Sequence, residues 1–316
     1  MSWPAPAPAG QTAGRQPPAV RQVTVTPSMC GRQSLLAARV GDWTWHDISR
    51  HSGMDVLTAR TDDGDPAYLA FSYIRIKGST GLHPLGLAFG DRLTVTTQSY
   101  AAGPATTWTL HQLAPHTERA GDGGAVDPDA YFRDPDPGIL YVENVNRWVR
   151  RTTPATNTGL TTAVPTPFRH HTMDRLPGHL LPQNRLRTAR QAHTLLSPRA
   201  RQHQPLGTYT LPYTIDAARD LNGVGLVYFA SYLSIADTAV HAYWQHLGRS
   251  TDSFTTRQVT DSRICYLANT DAGSTLSITV TGYPHPHGEL LDIQLHDHHN
   301  NTPVAIHSQL ITTHHT

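Results

Sequence analysis

The chain has 316 residues, enough for two domains that each bury a core. Its 25 Lys and Arg against 24 Asp and Glu leave no bulk charge to draw it to nucleic acid or to an anionic membrane. Two cysteines, Cys30 and Cys265, are too few for a disulfide scaffold, no Cys-x-x-Cys marks a zinc site, and no run of about 18 apolar residues occurs. Neither a membrane span nor a bound metal is expected, and a reduced cytoplasmic location is.

Residues 1–21 are rich in Pro, Ala and Gly, lack the apolar stretch of a secretory signal, and read as a disordered tail. Residues 22–26 alternate like a strand. Residues 43–51 have helical character closed by Gly53, with Asp42 as a candidate N-cap. Strand-like segments follow at 67–77, 91–100, 106–113 and 139–150, separated by turn chemistry such as Asp62-Asp63-Gly64-Asp65-Pro66. From 152 to about 206 the chain is a Pro-, Thr- and Arg-rich connector with one short helical possibility at 184–196. Beyond it lie a strand at 207–214, a helix at 228–247 with apolar Phe229, Leu233, Ala236, Val240, Tyr243 and Leu247 on one stripe, and strands at 253–267, 275–283, 290–295 and 304–312. Each half repeats the same plan of leading strand, single helix and antiparallel strands. An α+β fold built twice is expected, with domains at 22–151 and 207–316.

Several side chains could carry chemistry. Tyr68 and Tyr73 fall on opposite faces of the 67–77 strand if it alternates regularly. Tyr68 then shares the helix-facing side with Ile74 and Ile76, whereas Tyr73 shares a solvent side with Arg75 and Lys77; a bulge near Pro66 would exchange them. Either tyrosine could equally be an amphipathic packing residue. Unpaired backbone N–H groups at a helix start over Gly41, Asp42, Trp43 and Thr44 could receive an oxyanion. Ser34, His46 and Asn144 are further polar candidates. Asp237 reads as a helix-surface residue, and the clusters His296, His298, His299, His314, His315 and His170-His171 read as solvated, since they lack ligand spacing. Cys30 before Gly31 mirrors Asn222 before Gly223, which suggests a repeated turn, and reads as a packing residue.

The segment Asn222-Gly223-Val224-Gly225-Leu226-Val227-Tyr228, leading through Tyr232 to Asp237, resembles the Gly-rich loop and helix start of hot-dog acyl-CoA thioesterases. It also reads as a simple tight turn before a helix. Where those thioesterases carry a catalytic Asp this chain has Asn222, an amide that can donate a hydrogen bond to an oxyanion or enolate but cannot act as a base. In the first half, Met29-Cys30-Gly31, Gly41-Asp42-Trp43-Thr44-Trp45, Asp55-Val56-Leu57-Thr58-Ala59-Arg60, Tyr68-Leu69-Ala70-Phe71 and Glu143-Asn144-Val145-Asn146-Arg147-Trp148 resemble the LnmK-like acyltransferase/decarboxylases of leinamycin-type polyketide biosynthesis.

That resemblance implies a double hot-dog enzyme, two antiparallel sheets each wrapped on a central helix. It would take methylmalonyl-CoA, remove its carboxylate and pass propionyl to a phosphopantetheinylated acyl carrier protein. A tyrosine would be the acyl acceptor, with Tyr68 first and Tyr73 in reserve. Asn222, Gly223, Tyr228, Ser34, Asn144 and the 41–44 segment would hold the thioester or its enolate, with no bound cofactor beyond the coenzyme A of the substrate. Arg147, Arg150, Arg151, Arg185, Arg187, Arg190, Arg199 and Arg201 supply cations for the carrier. The sequence leaves a homodimer open. Two other readings stand beside this one. The first is a hot-dog thioesterase or dehydratase that draws its acid from Asp216 or Asp220. The second is a non-catalytic module that binds a carrier.

Overall fold

The computed structural model describes residues 17–117, 126–153 and 156–312. The first half contains β1 (Ala19–Thr24), α1 (Gln33–Ser52), β2 (Tyr68–Lys77), β3 (Arg92–Gly103), β4 (Thr106–Pro115), α2 (Pro128–Arg133) and β5 (Leu140–Arg151). The connector carries β6 (Leu160–Thr162) and α3 (Gln183–Ala192). The second half contains β7 (Gly207–Thr214), α4 (Phe229–His246), α5 (Thr251–Thr255), β8 (Gln258–Tyr266), β9 (Thr275–His285), β10 (Gly288–Asp297) and β11 (Pro303–Thr312).

All these strands join one antiparallel sheet in the order β1-β3-β4-β5-β2-β8-β11-β10-β9-β7, with β6 added beside β5. Reading outward from the centre, β2, β5, β4, β3 and β1 match β8, β11, β10, β9 and β7, so the two halves are related by a pseudo-two-fold axis. It passes where Arg75 of β2 pairs with Arg263 of β8. Asp261 makes that junction tolerable: it accepts bonds from Arg75 Nε at 2.9 Å and Nη2 at 2.8 Å and also pairs with Arg263. The two guanidinium groups hold its carboxyl well below the usual range, against the cost of burial.

α1 and α4 pack on one face of the sheet, where Leu36, Val40, Ala236 and Val240 meet Val95, Leu113, Ile278 and Leu295 in the main core. On the other face α2 and the connector cover a second cluster that includes Tyr73, Trp108, Tyr131 and Ala189. The fold is the α+β double hot-dog expected from the sequence.

Several local expectations are corrected. α1 begins at Gln33, not near Gly41, because Leu36, Ala37 and Val40 carry its buried apolar stripe a further two turns back; Gly53 closes it in the left-handed conformation at φ 70°. β1 begins at Ala19, inside the stretch expected to be tail. Residues 253–255 are helical rather than strand, because the Ser250 hydroxyl caps α5 by accepting from the Ser253 N–H. The short helix α2 was not anticipated, although Asp127 followed by Pro128 is a helix-start signal; the Asp127 side chain accepts from the Asp129 N–H. Aligned on the helix N-caps Arg32 and Tyr228, Cys30 corresponds to Leu226, so its mirror relation to Asn222 does not hold.

Candidate active site

β2 and β8 pair only over Tyr73–Lys77 and Cys265–Asp261, and beyond that the strands part. The edge of β2 from Tyr68 to Ser72 therefore borders a cleft of about 530 Å³, closed by Leu267 to Asn269 and by the loop that enters α4. Tyr68, Arg147 and Trp45 come from the first half, and Asn222, Gly223, Tyr228 and Phe229 from the second.

A β-bulge decides which tyrosine reaches it. The pairing of β2 with β5 slips between Phe71 and Tyr73, leaving Ser72 as the extra residue. Leu69 and Phe71 face the helices before the bulge, Ile74 and Ile76 after it, and Tyr68 and Tyr73 both fall on the outer face. The expectation of opposite faces is thereby corrected. Tyr68 is half-buried at the cleft, with the Arg151 guanidinium 5.7 Å from its ring centroid. Tyr73 is 5% exposed beneath the connector, with its hydroxyl 3.5 Å from Glu143 Oε1. Burial first and the Glu143 charge second push that hydroxyl far above its ordinary range, which suits packing and not nucleophilic attack.

The loop is held by its own side chain. Asn222 Oδ1 accepts from the Val224 N–H at 3.1 Å and the Leu226 N–H at 3.0 Å, so only the amide NH₂ remains to offer a ligand. Gly225 adopts φ 75°, open to glycine without strain. Arg151 binds Val224 O at 2.7 Å and Asn157 Oδ1 at 2.9 Å, fastening the loop to the connector beside Tyr68. α4 then starts with no side-chain cap at Tyr228, and its first N–H groups lie next to the cleft wall formed by Phe229. Burial, then the charge of Asp42, pushes the Tyr228 hydroxyl up to about 12.

The other candidates lie elsewhere. Since α1 begins at Gln33, Gly41 to Thr44 sit inside it and their N–H groups bond within the helix; the proposed helix-start oxyanion site at these residues is corrected. Gly41 has a packing role, since a Cβ there would meet the Phe229 ring at 2.6 Å. Trp43 is buried, its ring approached by Arg21 and Arg39. Asp42 is half-exposed, 3.9 Å from Arg39, with its carboxyl raised by burial. Thr44 and Asn144 belong to a buried polar layer beneath α1: Asn144 Nδ2 donates to Thr44 Oγ1 at 2.9 Å, and His111 bridges Thr44 and Thr97 at 2.9 Å each. Ser34 bonds Ser234 at 2.8 Å in a different cleft. Asp237, read as a surface residue, is instead a partnered one, accepting from Arg257 at 3.0 Å and Gln309 at 3.1 Å.

The arginines also sort themselves. Arg150 ties Asp63 and Asp65, and Arg185 ties Glu143. Arg147 and Arg190 line the cleft and form no ion pair with any described residue. Sequence reasoning missed the cleft walls Trp45, Phe71 and Phe229, whose rings pack at 3.9 Å for Phe71 on Phe229 and 5.6 Å for Trp45 on Phe71. Trp45 and Phe71 stand within the family-like motifs and Phe229 on the apolar stripe of α4, but apolar side chains at such positions read equally well as core. No helix among the described residues is long and apolar enough to cross a membrane, and no three metal-binding side chains converge among them. His314 and His315 lie outside the described residues.

The fold is that of a double hot-dog protein, with a candidate cleft lined by residues of both halves. A model of the LnmK N-terminal hot dog fold domain matches residues 20–197, more than half of the chain, and the chain belongs to that family. Among solved structures the fold is similar to that of a protein assigned as an oleoyl thioesterase from Lactobacillus plantarum, with TM-score 0.59 and 12% identity over 93% of this chain and 95% of that one. It is also similar to a 12:0-ACP thioesterase from Umbellularia californica, with TM-score 0.55 and 10% identity over 93% and 96%. An acyl-ACP thioesterase from Bacteroides thetaiotaomicron gives TM-score 0.54 and 13% identity over 93% and 97%. No curated protein matches.

Proposed function

We propose that the chain is an enzyme acting on an acyl thioester, and specifically a decarboxylating acyltransferase that takes methylmalonyl-CoA and delivers propionyl to an acyl carrier protein. The observation that carries this reading is the composition of the cleft. It offers Tyr68, the Asn222 amide, two unpaired arginines and apolar rings, and none of its lining residues is Asp, Glu, His or Cys.

Such a lining suits decarboxylation better than hydrolysis. A carboxylate leaving into an apolar enclosure loses little stabilisation on becoming carbon dioxide, whereas activating water requires a base that the lining lacks. In the proposed sequence Tyr68 Oη attacks the thioester carbonyl, the C–S bond breaks, and the phenol proton passes to the departing sulfur to give free coenzyme A thiol. The C–C bond to the carboxylate breaks, its electron pair enters an enolate held by the Asn222 NH₂ and the first N–H groups of α4, and the enolate takes a proton from solvent. The carrier thiol then attacks the tyrosyl ester, the ester C–O bond breaks, and the thiol proton passes to Tyr68 Oη. Arg147 and Arg190, both in the cleft lining, would receive the anionic head of a pantetheine arm.

The thioesterase or dehydratase reading finds neither of its proposed acids in this cleft, and Asp220 borders a separate cavity. Asp220 accepts from Tyr213, Arg219 and the Asp216 N–H, and Asp216 is an exposed turn residue; neither lines this cleft. The test is incubation with methylmalonyl-CoA, with and without a phosphopantetheinylated carrier. Propionyl on the carrier supports the proposal. Steady release of free acid independent of the carrier would establish hydrolysis instead.

A further inference from the structure

The pseudo-two-fold that relates the halves must also relate their clefts. Applied to the first cleft, it carries Trp45 to His241, Tyr68 to Thr256, the helix entry at Tyr228 to the one at Arg32, and the parting of β2 from β8 to the opposite end of the same junction. A cavity of about 680 Å³ lies there, bordered by Arg32, Ser34, Ser234, His241 and Arg257. It shares two features with the first cleft, an uncapped helix start and an arginine without an ion pair, although unlike the first it is also lined by Asp220, Asp237 and His241. α1 enters it with no side-chain cap, as α4 enters the other. Arg32 stands exposed at its mouth without an ion pair to any described residue, in the role that Arg147 and Arg190 have at the first. What differs is the interior: hydroxyls of Ser34, Ser231, Ser234 and Thr238 stand among the rings of Tyr213, Tyr228 and Phe254, and the carboxylates Asp220 and Asp237 are neutralised by Arg219 and Arg257. Tyr228 borders both cavities, so the two clefts meet at one ring.

We propose that this second cleft is a second binding site for a phosphopantetheine arm. The inference rests on the acyl-thioester reading of the first cleft. The chemistry fits the arm: alternating amides and methylenes match a floor of hydroxyls beside apolar Leu35 and Leu85, and the phosphate matches Arg32. No tyrosine stands at the position equivalent to Tyr68, and the hydroxyl of the cavity's own Tyr213 is tied to Asp220 and Arg219, so the site binds without accepting an acyl group.

Titration calorimetry of the full chain with coenzyme A tests this, alongside transfer from methylmalonyl-CoA. The wild type is expected to bind two equivalents. Ser234→Trp fills the second cleft and is expected to bind one while still transferring, and Ala70→Trp fills the first and is expected to bind one and lose transfer. Arg32→Glu, an exposed change that leaves the interior intact, is expected to weaken one of the two sites about ten-fold or more. A single equivalent in the wild type with normal transfer overturns the second site alone, as does a second equivalent that survives both Ser234→Trp and Arg32→Glu. Two equivalents with no turnover of any acyl-CoA overturn the functional reading and leave the second site standing.

Discussion

Two histidines titrate in a way the fold should reveal. His111 and His307 are fully buried, and burial lowers each imidazole from 6.5 to about 3. The unfolded chain takes up a proton at each near pH 6.5, while the folded chain does not until about pH 3. Their contribution is therefore complete above pH 6.5 and is lost as the pH falls toward 3, with a slope approaching ~1.4 kcal/mol per pH unit for each histidine. Denaturant unfolding between pH 7 and 4 is expected to show this loss, and His307→Gln is expected to reduce its slope; an unchanged slope would contradict the assignment. The two tyrosines of β2 separate by the same logic of environment. Tyr73→Phe is expected to cost ~1 kcal/mol and leave turnover intact, because Glu143 keeps its bonds to Trp108 and Arg185. Tyr68→Phe is expected to leave stability unchanged and to abolish transfer in the carrier assay.

Elements place these residues, and the sequence predicts elements better than it predicts details of register. The strands of both halves and the helix α4 followed from alternation and from a single apolar stripe. The bulge at Ser72 did not, because nothing in Tyr68-Leu69-Ala70-Phe71-Ser72-Tyr73 breaks the period of two. One extra residue moved Tyr73 to the same face as Tyr68 and under the connector. The start of α1 was misread because Asp42 resembles an N-cap, while the true N-cap, Arg32, has no capping side chain. That misreading produced the oxyanion site at residues 41–44. The Gly41 position serves the contact between helices instead. Gly41→Ala gains ~1 kcal/mol of helix propensity, but its Cβ forces Phe229 to move, at a cost of ~1–3 kcal/mol. The expected result is a lower melting temperature together with a raised KM for acyl-CoA, since the Phe71–Phe229 stack is a wall of the cleft. A raised melting temperature with unchanged KM would refute that role.

Across the whole molecule the repeat was legible and the site was only partly so. The same plan of strand, helix and strands in both halves predicted a doubled fold, and the loop at Asn222 was singled out from its motif. What the sequence did not convey is that the halves join edge to edge through β2 and β8, an arrangement that brings Tyr68 and Asn222, distant in the chain, to one cleft. That junction rests on Asp261 between two arginines. Asp261→Ala leaves Arg75 and Arg263 facing each other, half-buried and unneutralised, and is expected to cost about 3 kcal/mol in denaturant unfolding. A loss under about 0.5 kcal/mol would mean that backbone pairing alone holds the halves together.

The measurement that bears most directly on the central claim is the intact mass of the protein, quenched rapidly after mixing with methylmalonyl-CoA and no carrier. A single added acyl group is predicted, mapping to Tyr68 on digestion, present in Tyr73→Phe, absent in Tyr68→Phe, and discharged on adding a phosphopantetheinylated carrier. Propionyl appearing on the carrier while the protein's mass never changes, with Tyr68→Phe fully active, would contradict the tyrosyl route through this cleft.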